Sequence, residues 1–190
     1  MNYKLITGIV LCFALICSFG VYKVFANQNK EVNMNDKKVL VAYYSLSGNT
    51  KAVAEKIQRL TGGDIFEITP KTPYPKEYNV VVEQASKEKA RDFFPELADN
   101  GNVKDYDIVF VGTPVWWYTM AGPVKTFLRE NDFTGKIIVP FCTHGGGGES
   151  TTYIDMQKLA PHAKVLQGYT SYENSAKEND IKNWITGLKL

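Results

Sequence analysis

Apolar residues along the chain come in two alternating spacings. Lys38–Tyr44 (KVLVAYY) is a short β-branched run that stops at Ser-Leu-Ser-Gly, and beyond it Val53, Ala54, Ile57 and Leu60 recur at helical spacing. These predict a strand, a loop and a helix. Asp64–Thr69 (DIFEIT) predicts a second strand, and Pro73-Tyr74-Pro75 breaks the chain before a polar helix near 77–94. A third strand, Asp107–Gly112 (DIVFVG), runs into TPVWWYTM, after which Pro123 opens a helix with Val124, Phe127 and Leu128 inward. The fourth, Lys136–Cys142 (KIIVPFC), leads through THGGGGES to a helix ending near Ala160. The fifth, Ala163–Gly168, precedes an amphipathic helix with Ile181, Trp184, Ile185 and Leu188 on one face.

Strands alternating with helices, several of them continuous apolar runs, predict an α/β domain with a parallel sheet covered on both faces. Ligands of such sheets sit beyond the carboxyl ends of the strands. Three of those ends carry loops of unusual composition, at 45–50, 113–120 and 143–150.

The first 26 residues follow another pattern. Leu5–Tyr22 is almost wholly apolar, and Lys23-Val24-Phe25-Ala26 follows with a small residue where a signal peptidase cuts. Residues 1–26 are therefore expected to be a secretory signal peptide. An uncleaved membrane anchor is the alternative, because about 18 apolar residues are enough to span a bilayer. Both place the domain outside the cytoplasm, and membrane contact is expected only through residues 5–22 if they are uncleaved. A cytoplasm-facing anchor is a further reading, since Lys23, Lys30, Lys37 and Lys38 outnumber Lys4. Neither Cys12 nor Cys17 follows a small residue, so a bacterial lipoprotein pattern is missing. Residues 27–36 (NQNKEVNMND) are expected to be a polar linker, and 37–190 a single folded domain.

Charge narrows the partners. The chain has 22 basic and 20 acidic residues, but Lys4 and Lys23 are the charged residues of the first 26, so the remainder is formally neutral. A domain without a basic stripe has little to hold a phosphate backbone, and no nucleic-acid partner is expected. Cys142 is the one cysteine after the leader, which excludes a disulfide framework there.

Each of the three loops has its own chemistry. Ser45-Leu46-Ser47-Gly48-Asn49-Thr50 brings hydroxyls and successive N–H groups to the positive end of a helix, an anion site without Lys or Arg. An ordinary N-cap with a glycine turn accounts for the same residues. Pro114-Val115-Trp116-Trp117-Tyr118 places large aromatics at the mouth of the third strand, where they either seal the sheet edge or flank a planar ligand. Thr143 and His144 precede Gly145, Gly146, Gly147 and Gly148, whose bare backbone lets a ligand approach closely; a plain flexible connector is the other reading. Neither G-x-x-x-x-G-K-[ST] nor a strand-following G-x-G-x-x-G occurs, and no G-x-S-x-G elbow accompanies the HGGG run. Nucleoside triphosphate, dinucleotide and hydrolase readings lose their main support. Cys142 at the end of an apolar strand is expected to be a small core residue rather than a nucleophile.

Taken in order, VLVAYYSLSGNTKAVAEKI, GTPVWWYTMAGPVKTFL and FTGKIIVPFCTHGGGG resemble the short-chain, FMN-binding members of the flavodoxin family. The resemblance runs from Lys38 to the C-terminus. It implies a flavodoxin-like doubly wound three-layer sandwich with a five-stranded parallel sheet of order 2-1-3-4-5, and FMN at the switch between strands one and three. It implies also that Ser45, Leu46, Ser47, Gly48, Asn49 and Thr50 take the phosphate. Pro114, Val115, Trp116, Trp117 and Tyr118 then cover the isoalloxazine ring, and Thr143, His144, Gly145 and Gly146 meet its pyrimidine edge. The function implied is electron transfer through noncovalent FMN, passed to a redox partner protein or a small-molecule acceptor. No Asp-Gly pair, which opens a covalent flavin-attachment motif, is present.

Three features depart from the family's electron carriers. The domain is neutral rather than acidic, glycines replace an aromatic in the third loop, and Tyr118-Thr119-Met120 occupies a stretch where carriers commonly have a flexible glycine. These favour an FMN-dependent NAD(P)H:quinone-type reductase as the alternative. An exported ligand-binding domain without redox duty is the third reading.

Overall fold

In a computed structural model, residues 36–188 and 190 are described. The leader over 1–26 and nearly all of the linker lie outside the described residues. Strand β1, Val39–Tyr43, is buried at every position. Helix α1 (Asn49–Thr61) returns to β2 (Asp64–Glu67), and α2 (Tyr78–Ala90) to the long β3, Ile108–Trp116. A two-residue strand β4, Thr119–Met120, precedes α3, Gly122–Glu130. Then come β5 (Ile137–His144), α4 (Thr152–Leu159), β6 (Lys164–Val165), β7 (Tyr169–Tyr172) and α5 (Glu178–Gly187).

The strands pair in the order β2-β1-β3-β5-β6, with β7 further along β5, all parallel. This is the expected five-position order. Side chains alternate across β1, so Val39, Val41 and Tyr43 pack with Val53, Ala54 and Ile57 of α1 and Ile181 and Ile185 of α5. Leu40 and Ala42 face the opposite layer, with Val81 of α2, Val124, Phe127 and Leu128 of α3 and Met156 of α4. Gly112 in β3 is required by close approach: a Cβ there would lie 2.1 Å from the Phe141 ring.

Two expectations are corrected. The third strand runs to Trp116 rather than Gly112, because residues 113–114 pair with Cys142 and Thr143 and β4 folds back on Val115 and Trp116 in an antiparallel hairpin. Pro114, Val115 and Trp116 therefore lie on a strand, not in a loop. The last strand is two pieces instead of 163–168, and its pairing slips by one residue between Ile138↔Val165 and Phe141↔Tyr169. The cause sits on the neighbour. Ile138 O accepts from Leu166 N at 2.9 Å, and strand alternation turns the Pro140 nitrogen toward the same side, where proline has no proton to offer. Gly168 then passes under the Tyr153 ring, where a Cβ would come within 2.4 Å.

Candidate functional site

The ends of β1, β3 and β5 gather the three unusual loops at the point where the strand order reverses, the position at which open α/β sheets bind ligands. Hydrogen bonds join them. Thr50 Oγ1 and Thr143 Oγ1 meet at 2.8 Å, linking the first turn of α1 to the end of β5 across 93 residues of chain. Both are buried, 1% and 4% exposed, so their hydroxyls serve each other. Pro114 pairs with Thr143 in the β3–β5 register, and Thr151, just beyond the third loop, donates its N–H to Tyr118 O at 3.1 Å.

Helix α1 opens on Gly48, whose φ of 90° lies in the left-handed region, with no side-chain cap. Gly48 N–H donates to Ser45 Oγ at 3.1 Å, and Gly48 O accepts from Ala52 N at 2.9 Å. The first-turn N–H groups of Asn49, Thr50 and Lys51 have no carbonyl within the helix to bond, as at any helix start. Leu46, Ser47 and Gly48 are exposed, and Ser45 and Asn49 half-buried.

The second loop is a two-residue turn. Trp117 and Tyr118 both have positive φ, 48° and 68°, the pattern of a type I′ hairpin, which favours Asn-Gly rather than aromatics. The two tryptophans diverge. Trp116 packs inward, edge-on to Tyr44 at 5.6 Å and Tyr74 at 5.0 Å between ring centroids. Trp117 and Tyr118 face outward, 43% and 63% exposed. Trp117 Nε1 donates to Val82 O of α2 at 2.9 Å, and Lys89 Nζ donates to Trp117 O and sits 5.8 Å from the Tyr118 ring centre.

Strand β5 runs to His144 rather than Cys142, because Thr143 and His144 pair with Ser171 and Tyr172, and at its end His144 Nδ1 accepts the Gly146 N–H at 3.0 Å while its ring meets Tyr172 edge-on. A Cβ at any of Gly145, Gly146, Gly147 or Gly148 would touch nothing within 4 Å, so this side of the site is open. Cys142 is buried at 0% exposure, 3.2 Å from Tyr153 OH, and burial pushes its thiol pKa up. A neutral buried thiol is a core residue. Among the described residues no helix is long and apolar enough to cross a membrane.

The family model for flavodoxin matches residues 38–188. The chain belongs to the flavodoxin family. Solved structures agree with that membership. A candidate flavoprotein of Bacteroides eggerthii DSM 20697 is 29% identical, with a TM-score of 0.73 over 82% of this chain and 99% of that one. A second, of Bacteroides uniformis ATCC 8492, is 28% identical at TM-score 0.72, covering 79% and 98%. A flavoprotein of Lactobacillus acidophilus NCFM, solved in complex with FMN, is 26% identical at TM-score 0.60, covering 77% and 99%. The flavodoxin fold thus accounts for residues 38–188 of this chain.

Residues beyond the predicted site complete the arrangement. Thr119, Thr151 and Asp155 brace the hairpin: Thr119 Oγ1 lies 2.8 Å and Thr151 Oγ1 2.7 Å from Asp155 Oδ2. Lys89 and Val82 hold it from α2. The sequence signal for Asp155 is slight, a Thr and an Asp four apart at a helix start, one helical turn from each other.

Proposed function

We propose that this domain is an electron-transfer flavoprotein that holds FMN noncovalently across the three loops. The observation that carries the reading is the uncapped, hydroxyl-lined start of α1 beside a turn of outward-facing aromatics. Ser45, Ser47 and Asn49 with the first-turn N–H groups make a neutral donor set for a phosphate monoester. The donor set and the aromatics fit the two ends of FMN, and FMN is the ligand of the Lactobacillus acidophilus flavoprotein of the same fold. Trp117 and Tyr118 are the exposed aromatics that would flank the ring, while Trp116 packs inward against Tyr44 and Tyr74. Gly145 and the Gly146 carbonyl offer backbone to its polar edge, since Thr143 and His144 lie in the β5 ladder and the Gly146 N–H is taken by His144 Nδ1. FMN supplies the redox chemistry when bound, and the chain orients it and restricts its contact with water. The electrons then pass to a partner protein or a small acceptor, and the apolar run Leu5–Tyr22 supports an extracytoplasmic setting.

One observation favours the reductase reading. The run Gly145–Gly148 puts no side chain over this part of the site, which suits approach of a second planar molecule such as a nicotinamide or a quinone.

A fluorescence titration with FMN and riboflavin tests the proposal. Strong FMN quenching with much weaker riboflavin quenching is expected, since only FMN brings a phosphate to residues 45–50. Failure of both flavins to bind refutes it. NAD(P)H oxidation by the loaded protein in the presence of a quinone then separates reductase from carrier.

A further inference from the structure

The turn bearing Trp117 and Tyr118 is unfavourable by itself, because two adjacent residues with side chains hold positive φ. Such a conformation persists only when its surroundings hold it. Lys89 and the Val82 carbonyl hold the Trp117 half. The Tyr118 half is held from α4: Thr151 N–H donates to Tyr118 O, and Thr151 Oγ1 lies 2.8 Å from the same carbonyl and 2.7 Å from Asp155 Oδ2. One hydroxyl carries one proton, and the carboxylate is the stronger acceptor. That same Oδ2 receives Thr119 Oγ1 at 2.8 Å, from the strand leaving the turn, while Oδ1 receives Lys158 Nζ at 2.8 Å. A single carboxylate oxygen therefore ties both sides of the Tyr118 carbonyl to the start of α4.

We infer that Asp155 is the positioning residue of this site, acting through Thr119 and Thr151 to keep the Trp117–Tyr118 turn in the form that presents its aromatics to a planar ligand. The inference rests on the FMN reading for what that ligand is. Without the carboxylate, Thr119 loses its acceptor and Thr151, left to donate to the Tyr118 carbonyl alone, no longer ties the strand leaving the turn to α4, so the turn relaxes toward ordinary φ. Only the fraction of molecules that keeps the turn then binds, and the apparent dissociation constant rises by the inverse of that fraction.

Asp155→Ala in the full chain is expected to raise the Kd for FMN and riboflavin by the same factor, about ten- to a hundredfold, on the scale of a lost charge-assisted hydrogen bond. Equal effects are expected because the turn meets the ring, which both flavins share, and not the phosphate. The midpoint potential of bound FMN should shift. In the apo protein the Trp117 indole N–H resonance should move toward that of a solvent-exposed indole. Asp155→Asn keeps an oxygen that accepts both hydroxyls and should return each of these quantities most of the way. Thr119→Val, which removes one donor at nearly constant shape, should move them in the same direction as Asp155→Ala and serves if that variant does not fold.

Unchanged flavin affinities and indole resonance in Asp155→Ala overturn the inference. So does an Asp155→Asn variant as impaired as the alanine, or weakening confined to FMN. Wild-type protein that binds neither flavin refutes the FMN reading instead, and the apo indole resonance then decides the role of Asp155 alone.

Discussion

Replacing Thr143 by Val removes one hydroxyl from a pair that is otherwise sealed. Thr50 Oγ1 has its partner at 2.8 Å on Thr143, and with exposures of 1% and 4% neither hydroxyl has easy access to water. Thr143→Val should therefore leave Thr50 buried with its partner gone, destabilising the fold by about 1–3 kcal/mol. For a domain of this size that corresponds to a fall in Tm of roughly 2–4 °C per kcal/mol. Thr50→Val should cost a similar amount for the same reason. The double variant replaces both hydroxyls with methyls of the same shape, and removing both partners together is close to neutral. The cycle should thus show a coupling equal to the sum of the two single costs, about 2–6 kcal/mol, in urea denaturation, with the double variant more stable than either single one. Simple addition of the two single costs in the double variant would refute the reasoning, since it would mean that each hydroxyl is satisfied elsewhere. Near-zero cost in both single variants would refute it equally, by showing that water reaches the pair.

Other outcomes follow from the same structure. Tyr118→Gly should relieve one strained left-handed residue and raise the stability of the apo protein by about 1 kcal/mol while weakening flavin binding, read by thermal melts and titration. Gly48→Ala should cost about 1–2 kcal/mol from its positive φ alone, because a Cβ there touches nothing within 4 Å, and a denaturant titration checks it. Cys142 should resist alkylation in the folded protein at pH 8 and react on unfolding, as mapped by mass spectrometry. Burial holds its thiol pKa above the ordinary value, so the unfolded chain ionises first and this residue's contribution to stability is lost as pH rises past that value.

The fold was legible because its signals are local. β1 was visible as an unbroken apolar run, and the alternation of its two faces follows from strand geometry alone. The helical faces of Val53 and Ile57, of Val124 and Phe127, and of Ile181 and Ile185 could be read from spacing, and all six are buried. Pro140 was equally visible, yet its effect was not, because a proline breaks a ladder only on the side its nitrogen faces. That side depends on which strand lies there.

The site was half legible. Composition alone marked the three loops, and strand polarity placed them at one end of the sheet. Beyond the local bonds of Gly48 to Ser45 and Gly146 to His144, what gives them a definite form comes from contacts between distant segments. The Trp117–Tyr118 turn has no Gly or Asn to announce it, since its backbone is imposed from outside by Lys89, Thr151 and the Asp155 brace. Which tryptophan faces inward was decided by the hairpin register that pairs Trp116 with Thr119. Thr50 and Thr143 could each be read as ligand donors, and only the folded chain, by bringing α1 against β5, turned them toward each other. The sequence by itself determined the elements, their order and the chemistry available at the sheet's end, because periodicity and strand direction act over a few residues. The tertiary structure alone decided which of those groups pair among themselves, because a hydrogen bond across 93 residues leaves no trace in local spacing.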